Sequence, residues 1–456
     1  MKQDGKKTAK RPNVIFYFVD QQRHDTCGCY GQPLDVTPHL DRLAREGTCF
    51  DNAFTCQPVC GPARACLQSG VYATQTGCYR NAIHLPVDIP TLAKSFSNGG
   101  YDTAYIGKWH LATTRPTYTT LDPSMPEYET KPIPREYMGG YDTWMAADVL
   151  EFTSHGYNGY VFDEKKCRHD FIGYRADAIN NYAIDYIHRH DPEKPFFLFI
   201  SQIEPHHQND HHHYEGPDGS KKRFRDFVPP ADLPPGRGDW EQEYPDYLGQ
   251  IHALDENVGR LRDTLEEMGL WENTVILYTS DHGSHFCTRN GEYKRSCHDA
   301  STHIPLIAAG GPFQGRGHVK EMVSLMDIPR TLLDAASILP PEEFQGQSLL
   351  DLFLPDAVWQ AEEVFMQISE SQVGRAIRTP RYTYSVRAEA DGWTDACSDT
   401  YYEEFLYDNQ SDPAQQHNLS ADPQYASLRV QLAERLIQRM IAAGEKKPVI
   451  LPAKAW

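Results

Sequence analysis

Asn13-Val14-Ile15-Phe16-Tyr17-Phe18-Val19-Asp20-Gln21 is the stretch on which the reading of this chain turns. Its first seven residues carry no charge and are mostly β-branched or aromatic, as expected of a strand buried on both faces. The run stops abruptly at two polar side chains, Asp20 and Gln21. Three other runs repeat the pattern. Thr103-Ala104-Tyr105-Ile106 leads into Gly107-Lys108-Trp109-His110, and Pro195-Phe196-Phe197-Leu198-Phe199-Ile200 into Ser201-Gln202-Ile203-Glu204-Pro205-His206. Thr274-Val275-Ile276-Leu277-Tyr278-Thr279-Ser280 leads into Asp281-His282-Gly283. In an open parallel sheet, ligands bind beyond the carboxyl ends of the strands. Any one of these clusters says little, because every strand must end somewhere. Four of them together predict a parallel sheet with one site along its edge.

Helical signals alternate with these runs, which is the α/β pattern. Thr37-Pro38 opens a helix through Leu40, Leu43 and Ala44 that closes at Gly47. Further helices are expected around Pro90 to Ser97, from about Tyr174 to His188, and from about Tyr247 to Met268. The last shows Leu248, Ile251, Leu254, Val258, Leu261 and Leu265 on one face. Residues 112–170 read as an irregular insertion that shapes a substrate site. Residues 206–238 read as a solvated rim loop in which only His206, of its several histidines, is a site residue. After about residue 355 the texture changes to short strands at Val364–Ile368 and Arg381–Val386. A turn-rich link from Leu406 to Leu419 and a final amphipathic helix ending at Gly444 follow. The expected organisation is an α/β domain over 11–355 and a smaller α+β domain over 356–456.

The composition narrows the function classes. At 456 residues and 40% hydrophobic content, the chain is long enough for one large domain and a smaller one. A net charge of −19 argues against nucleic acid and against long polyanions held on a basic surface. No apolar run approaches the roughly 20 residues of a membrane span, and the basic start lacks the apolar core of a signal peptide. A cytoplasmic location is expected if the chain is complete. Eleven scattered cysteines fit free thiols better than a disulfide framework. Neither Cys27 with Cys29 nor Cys56 with Cys60 and Cys66 has the paired spacing of a structural zinc site, so zinc is not expected.

Between the first two runs stands Val59-Cys60-Gly61-Pro62-Ala63-Arg64-Ala65-Cys66-Leu67-Gln68-Ser69-Gly70. Pro62 is a favoured first-turn residue and should hold Gly61 extended, leaving Cys60 at a turn just ahead of a helix. A helix N-terminus with Arg64 beside it suits an anionic group.

This Cys-x-Pro-x-Arg order, with the polar clusters in the same chain order, resembles the type I sulfatases of the alkaline-phosphatase superfamily. The resemblance runs from Asn13 to the final helix. It implies an alkaline-phosphatase-like large, mostly parallel sheet flanked by helices, with a smaller C-terminal α+β domain. It also implies hydrolysis of a sulfate ester by a formylglycine that a maturation enzyme makes from Cys60. Asp20, Gln21, Asp281, His282 and the modified Cys60 would bind one divalent cation. The family implies Ca2+, and Mn2+ or Mg2+ also suits the donor set. One hydroxyl of the hydrated aldehyde would attack sulfur and the other would later expel sulfate. Arg64 would hold the hydrated aldehyde, and His110 would act as base. Lys108, His206 and Lys294 would hold sulfate oxygens, with His206 or Lys294 protonating the leaving alcohol.

Two positions depart from the family pattern. Ala63 replaces a frequent Ser, as in sequences matured by a radical, anaerobic-type enzyme, and Asp299 stands where Glu is commoner. Phosphonate monoester or phosphodiester hydrolases of the same superfamily are the alternative, but they usually lack the pair Lys108 and His110. A non-catalytic binder of sulfated ligands is a third, weaker reading. The expected substrate is a small sulfated mono- or disaccharide of the glycosaminoglycan or mucin kind, attacked from its end.

Overall fold

The four buried runs become four adjacent parallel strands at the centre of an 11-stranded sheet: Thr274–Ser280, Asn13–Val19, Phe196–Ser201 and Asp102–Lys108, in that spatial order. This is a computed structural model that describes residues 10–117, 119–355, 359 and 361–454. The basic segment up to residue 9, and residues 356–358 and 360 at the expected domain boundary, lie outside it. Beyond Thr274–Ser280 the sheet continues through antiparallel Leu306–Ala309, then Thr48–Phe54, to the edge strand Gly317–Ser324. Beyond Asp102–Lys108 it continues through Thr143–Ala147 into antiparallel Asn158–Asp163, which pairs with Ser154–His155 and Arg168–Ile172.

Alternation along the first strand assigns the two faces. Val14, Phe16 and Phe18 join a core with helices Cys60–Ser69, Leu92–Asn98 and Ile328–Ala335. Ile15, Tyr17 and Val19 join a second core with helices Pro38–Glu46, Arg175–Arg189 and Trp240–Glu267. Register brings Val19 opposite Ser280, Phe18 opposite Ser201, and Gly107 opposite Ser201, so the four strands finish level. At Gly107, with φ +112°, a Cβ would stand 1.9 Å from the Ser201 carbonyl oxygen. Only glycine lets these two strand ends approach so closely.

A second sheet has five strands in sequence order, Val364–Ile368, Gly374–Arg378, Tyr382–Arg387, Thr400–Asp408 and Val449–Leu451. Leu432, Leu436 and Met440 of helix Ala426–Ala442 cover one side of it.

Several elements differ from expectation. The helix after Val59 begins at Cys60, not Pro62, because Gly61 has no Cβ to clash with the proline ring and so accepts helical backbone. The stretch expected as irregular at 112–170 contributes four strands from Thr143 onward. Thr143–Ala147 is apolar but only five residues long, Ser154–His155 is a two-residue strand, and the other two have mixed, partly exposed sequences that lack the apolar run of a central strand. The helix expected from Tyr247 starts seven residues earlier, at Trp240. Pro245 forfeits one hydrogen bond there, but Trp240 and Tyr244 are buried in their own cluster and hold the first turns. Leu406-Tyr407-Asp408 ends a nine-residue strand and is not part of a link.

Candidate functional site

Asp20, Asp281, Lys108 and Ser201 stand side by side where the four central strands end, and the N-terminus of helix Cys60–Ser69 points at the same spot. All ten residues of that helix are buried. The Cys60 Sγ lies 3.4 Å from Asp20 Oδ1 and 3.3 Å from His282 Nε2, and accepts from Lys294 Nζ at 2.8 Å. His110 and His206 are within hydrogen-bonding reach of the same sulfur. Lys294 Nζ also donates to His206 Nε2 at 3.1 Å. Groups from five separate stretches of chain thus converge on one sulfur atom.

Arg64 is braced on three sides. It donates to the Lys108 carbonyl at 2.9 Å, to Ser201 Oγ at 2.7 Å and to Asp20 Oδ2 at 3.0 Å. Its guanidinium also sits over the Phe18 ring. Lys108 Nζ donates to Asp20 Oδ2 at 2.7 Å. Gln21 adopts φ +72° and its backbone N–H donates to Asp281 Oδ1 at 3.0 Å. Its side-chain amide donates to Tyr214 Oη at 2.7 Å. With that nitrogen occupied, the amide oxygen is the end left for a cation.

The charges are unbalanced in an informative way. Burial and the neighbouring Cys60 push Asp20 up, but Lys108, His206 and Lys294 outweigh them and hold it far below the carboxylate range. Burial, reinforced by Asp20, pushes Asp281 up to about 7. Asp281 Oδ2 is buried and accepts no hydrogen bond. Its nearest cation is the Arg64 guanidinium at 3.6 Å; a buried carboxylate oxygen without a hydrogen bond is costly, and a bound cation would supply the closer partner. Asp20, Cys60, Asp281 and His282 offer ligand atoms that all lie within 4.8 Å of one another. His282 donates through Nδ1 to the Gly283 carbonyl at 2.9 Å, which fixes Nε2 as its ligating end. Burial would raise the Cys60 thiol, yet Lys108, Lys294 and His282 hold it well below its ordinary value. Burial and Lys294 both lower His206, whose Nδ1 donates to the His207 carbonyl. Lys294 is raised above the usual lysine range because Cys60, Asp20 and Asp281 overcome its burial.

The sulfur opens into a cavity of about 900 Å3 lined by Lys108, His110, His206, Lys294, Glu151 and Trp393, among others. Every residue expected at the site therefore lies at this cavity or directly behind it. The family-pattern departure at Asp299 has a structural explanation: it pairs with Arg378 of the second sheet at 2.9 Å, and Gln415 donates to it at 3.0 Å. Other site residues escaped the sequence reading. Ser201 ends the third run and could have been included with His206. Asn81, which accepts from the Gly61 N–H at 2.8 Å, carries no signal. His207, read as rim, is buried and stacks on Tyr293 at 4.3 Å.

The sulfatase family profile matches residues 12–338. The chain belongs to the sulfatase family. It is thus a sulfuric ester hydrolase of the alkaline-phosphatase superfamily. A second profile, the C-terminal part of N-sulphoglucosamine sulphohydrolase, matches residues 291–442. An ulvan-active sulfatase from Formosa agariphila is 30% identical over 96% of this chain and 82% of its own. An N-acetylglucosamine-6-O-sulfatase from Bacteroides thetaiotaomicron is 26% identical over 94% of this chain and 86% of its own. Among solved structures, the sulfatase candidate yidJ from Bacteroides fragilis superposes with a TM-score of 0.81 at 25% identity, over 97% of this chain and 98% of its own. The sulfatase has no helix, among the described residues, long and apolar enough to cross a membrane.

Proposed function

We propose that this sulfatase cleaves a sulfate ester from the end of a small sulfated saccharide, using a formylglycine made from Cys60 and one divalent cation, Ca2+ in the first instance. The observation that carries the reading is the convergence of Lys294, His206, His110 and His282 on the Cys60 sulfur. A maturation enzyme that oxidises Cys60 is then a required partner. Asp20, Gln21, Asp281 and His282 would hold the cation, and the buried Asp281 Oδ2, which accepts no hydrogen bond, supports that fit. When bound, the cation supplies Lewis-acid activation and charge compensation at position 60.

The chain's own groups have distinct tasks in this reading. Arg64, held by the Lys108 carbonyl and Ser201, keeps a fixed positive charge beside position 60. Lys108 and Lys294 draw the sulfate oxygens inward. Lys294, a cation in contact with neutral His206, hands a proton to the departing alcohol directly or through that ring. His110, whose Nδ1 is buried and unpartnered, is placed to take a proton from position 60. Cation and positive side chains act where charge grows in the transition state, which is where electrostatic catalysis is strongest.

A saccharide substrate is supported by the cavity volume, which suits one or two sugar rings, and by the relatives named for ulvan and for N-acetylglucosamine-6-O-sulfate. Lys108 and His110 in the site favour sulfate over phosphonate esters. The test is free sulfate release, followed by ion chromatography, from a panel of sulfated mono- and disaccharides with Cys60→Ala as control. Aryl phosphonates and phosphodiesters are run in parallel. Turnover of one sugar, absent in the control, is the expected result. Silence on every sulfate ester with turnover of a phosphonate overturns the proposal, and activity that rises with polymer length overturns attack from the chain end.

A further inference from the structure

Three strands away from the catalytic cluster, at the edge of the large sheet, three metal-ligating side chains meet that no sequence spacing connects, and a fourth, Cys29, adjoins one of them. Cys49 and Asp51 are at i and i+2 on strand Thr48–Phe54, so both project from the same face. His318, on the parallel edge strand Gly317–Ser324, is the register partner of Cys49. The Cys49 sulfur, an Asp51 carboxylate oxygen and a His318 ring nitrogen all lie within 4.8 Å of one another. The Asp51 Oδ1 and His318 Nδ1 atoms are 2.6 Å apart. Cys29, in the turn Gly28–Tyr30, is within hydrogen-bonding reach of Cys49. A cleft of about 250 Å3, lined by Gly28, Cys29, Arg45 and His318, opens this corner to solvent.

We propose that Cys29, Cys49, Asp51 and His318 form a structural site for a thiophilic divalent ion of the zinc class, separate from the catalytic cation. Two thiolates, an imidazole and a carboxylate are a donor set that favours zinc over calcium or magnesium. Ligands around a tetrahedral zinc stand about 3.3–3.8 Å apart, so Cys49, Asp51 and His318 need only a small contraction, and Cys29, beside Cys49, closes the fourth position by turning toward them. Binding exchanges protons for the ion. The two thiols lose theirs, the proton between Asp51 and His318 leaves, and each ligand gives a lone pair to the metal. The ion would tie the edge strand to its neighbour and to the 28–30 turn. That location is apt, because the edge strand's register shifts between Val319 and Met322 and it pairs on one side only.

The test uses the full chain with Cys60→Ala, so that no catalytic-site thiol contributes. Titration with Co2+ is expected to give a thiolate-to-cobalt charge-transfer band, and Zn2+ to displace it with a stoichiometry of one. Adding His318→Ala, at a half-exposed position that folding tolerates, should weaken Zn2+ binding by more than the roughly 10–100-fold that loss of an outer-shell partner costs. Cys49→Ser should abolish the band. In the unmutated enzyme, His318→Ala alone is expected to leave sulfate release unchanged while removing the Zn2+-dependent rise in Tm. Absence of the charge-transfer band, a Zn2+ affinity that His318→Ala does not alter, or a Cys29–Cys49 disulfide in peptide maps of freshly purified protein each overturns the proposal.

Discussion

Two buried charge clusters, one at the ends of the central strands and one in the small sheet, obey opposite rules. In the small sheet, Arg375 and Glu445 are almost fully buried and fully partnered. Arg375 Nε donates to both Glu445 oxygens at 2.8 and 3.0 Å, and its remaining nitrogens reach the Gly374 and Ala396 carbonyls. Gln367 adds a further hydrogen bond to Glu445 at 2.7 Å. At the strand ends, Asp281 Oδ2, Arg64 Nε and His110 Nδ1 are buried without hydrogen-bond partners. The first cluster is complete and holds the fold. The second leaves polar atoms unsatisfied, and under the proposed function a cation and an anionic substrate would complete it, which would tie its cost in stability to its use.

The contrast can be broken first at position 60. Cys60→Ala is expected to reduce sulfate release by roughly 10^4–10^6-fold, as for removal of other nucleophiles, with an unchanged circular dichroism spectrum. Next, Lys294→Ala and His206→Ala should each lower kcat by about 10^2–10^4-fold. Their combination should cost far less than the product, because the two side chains share one hydrogen bond. Full multiplicativity would mean that they act independently.

The small-sheet pair predicts the reverse. Glu445→Gln leaves a buried guanidinium without its counter-charge and should destabilise the fold by about 3–5 kcal/mol, read as a lower urea midpoint, while kcat stays near that of the unmutated enzyme. A fall in kcat at constant stability would show that the two clusters are coupled.

The seam between them has its own pH dependence. Burial pushes His285 down to about 3 and holds His298 and His303 well below their ordinary value. The unfolded chain therefore binds more protons below pH 6.5, so their contribution is complete above that pH and is lost as pH falls toward about 3. Asp255, pushed up to about 8 by burial, acts with the opposite sign as pH rises from about 4. His298→Gln should therefore flatten the fall in stability between pH 7 and 5 by up to about 1.4 kcal/mol per pH unit. An unchanged slope would remove His298 from this account.

Most of the candidate site was legible in the sequence, for a physical reason. A strand buried on both faces must be apolar throughout, so the polar residue that ends it is conspicuous, as with Val19 to Asp20 and Ser280 to Asp281. The edges were not legible. Arg168–Ile172 buries little more than Phe171, and Thr400–Asp408 carries charges along its length that mask its period. Cys29 and Cys49 illustrate a deeper limit: their proximity comes from a turn packing on a strand, and no linear spacing encodes it. Lys294 was found only through resemblance, since a lone lysine in a loop has no local signature.

One feature of the cavity reaches further. Its floor is made by strand ends, but its upper wall includes Arg115 and Glu129 from a long loop, His212 from another, and Trp393 from the small sheet. All of these come from segments other than the strand ends that carry the Cys60 cluster. The rim can therefore be rewritten, loop by loop, while the reacting groups stay where the sheet puts them. Such a division of labour would let changes in surface loops alter which sulfate ester the cavity admits without disturbing the groups on its floor.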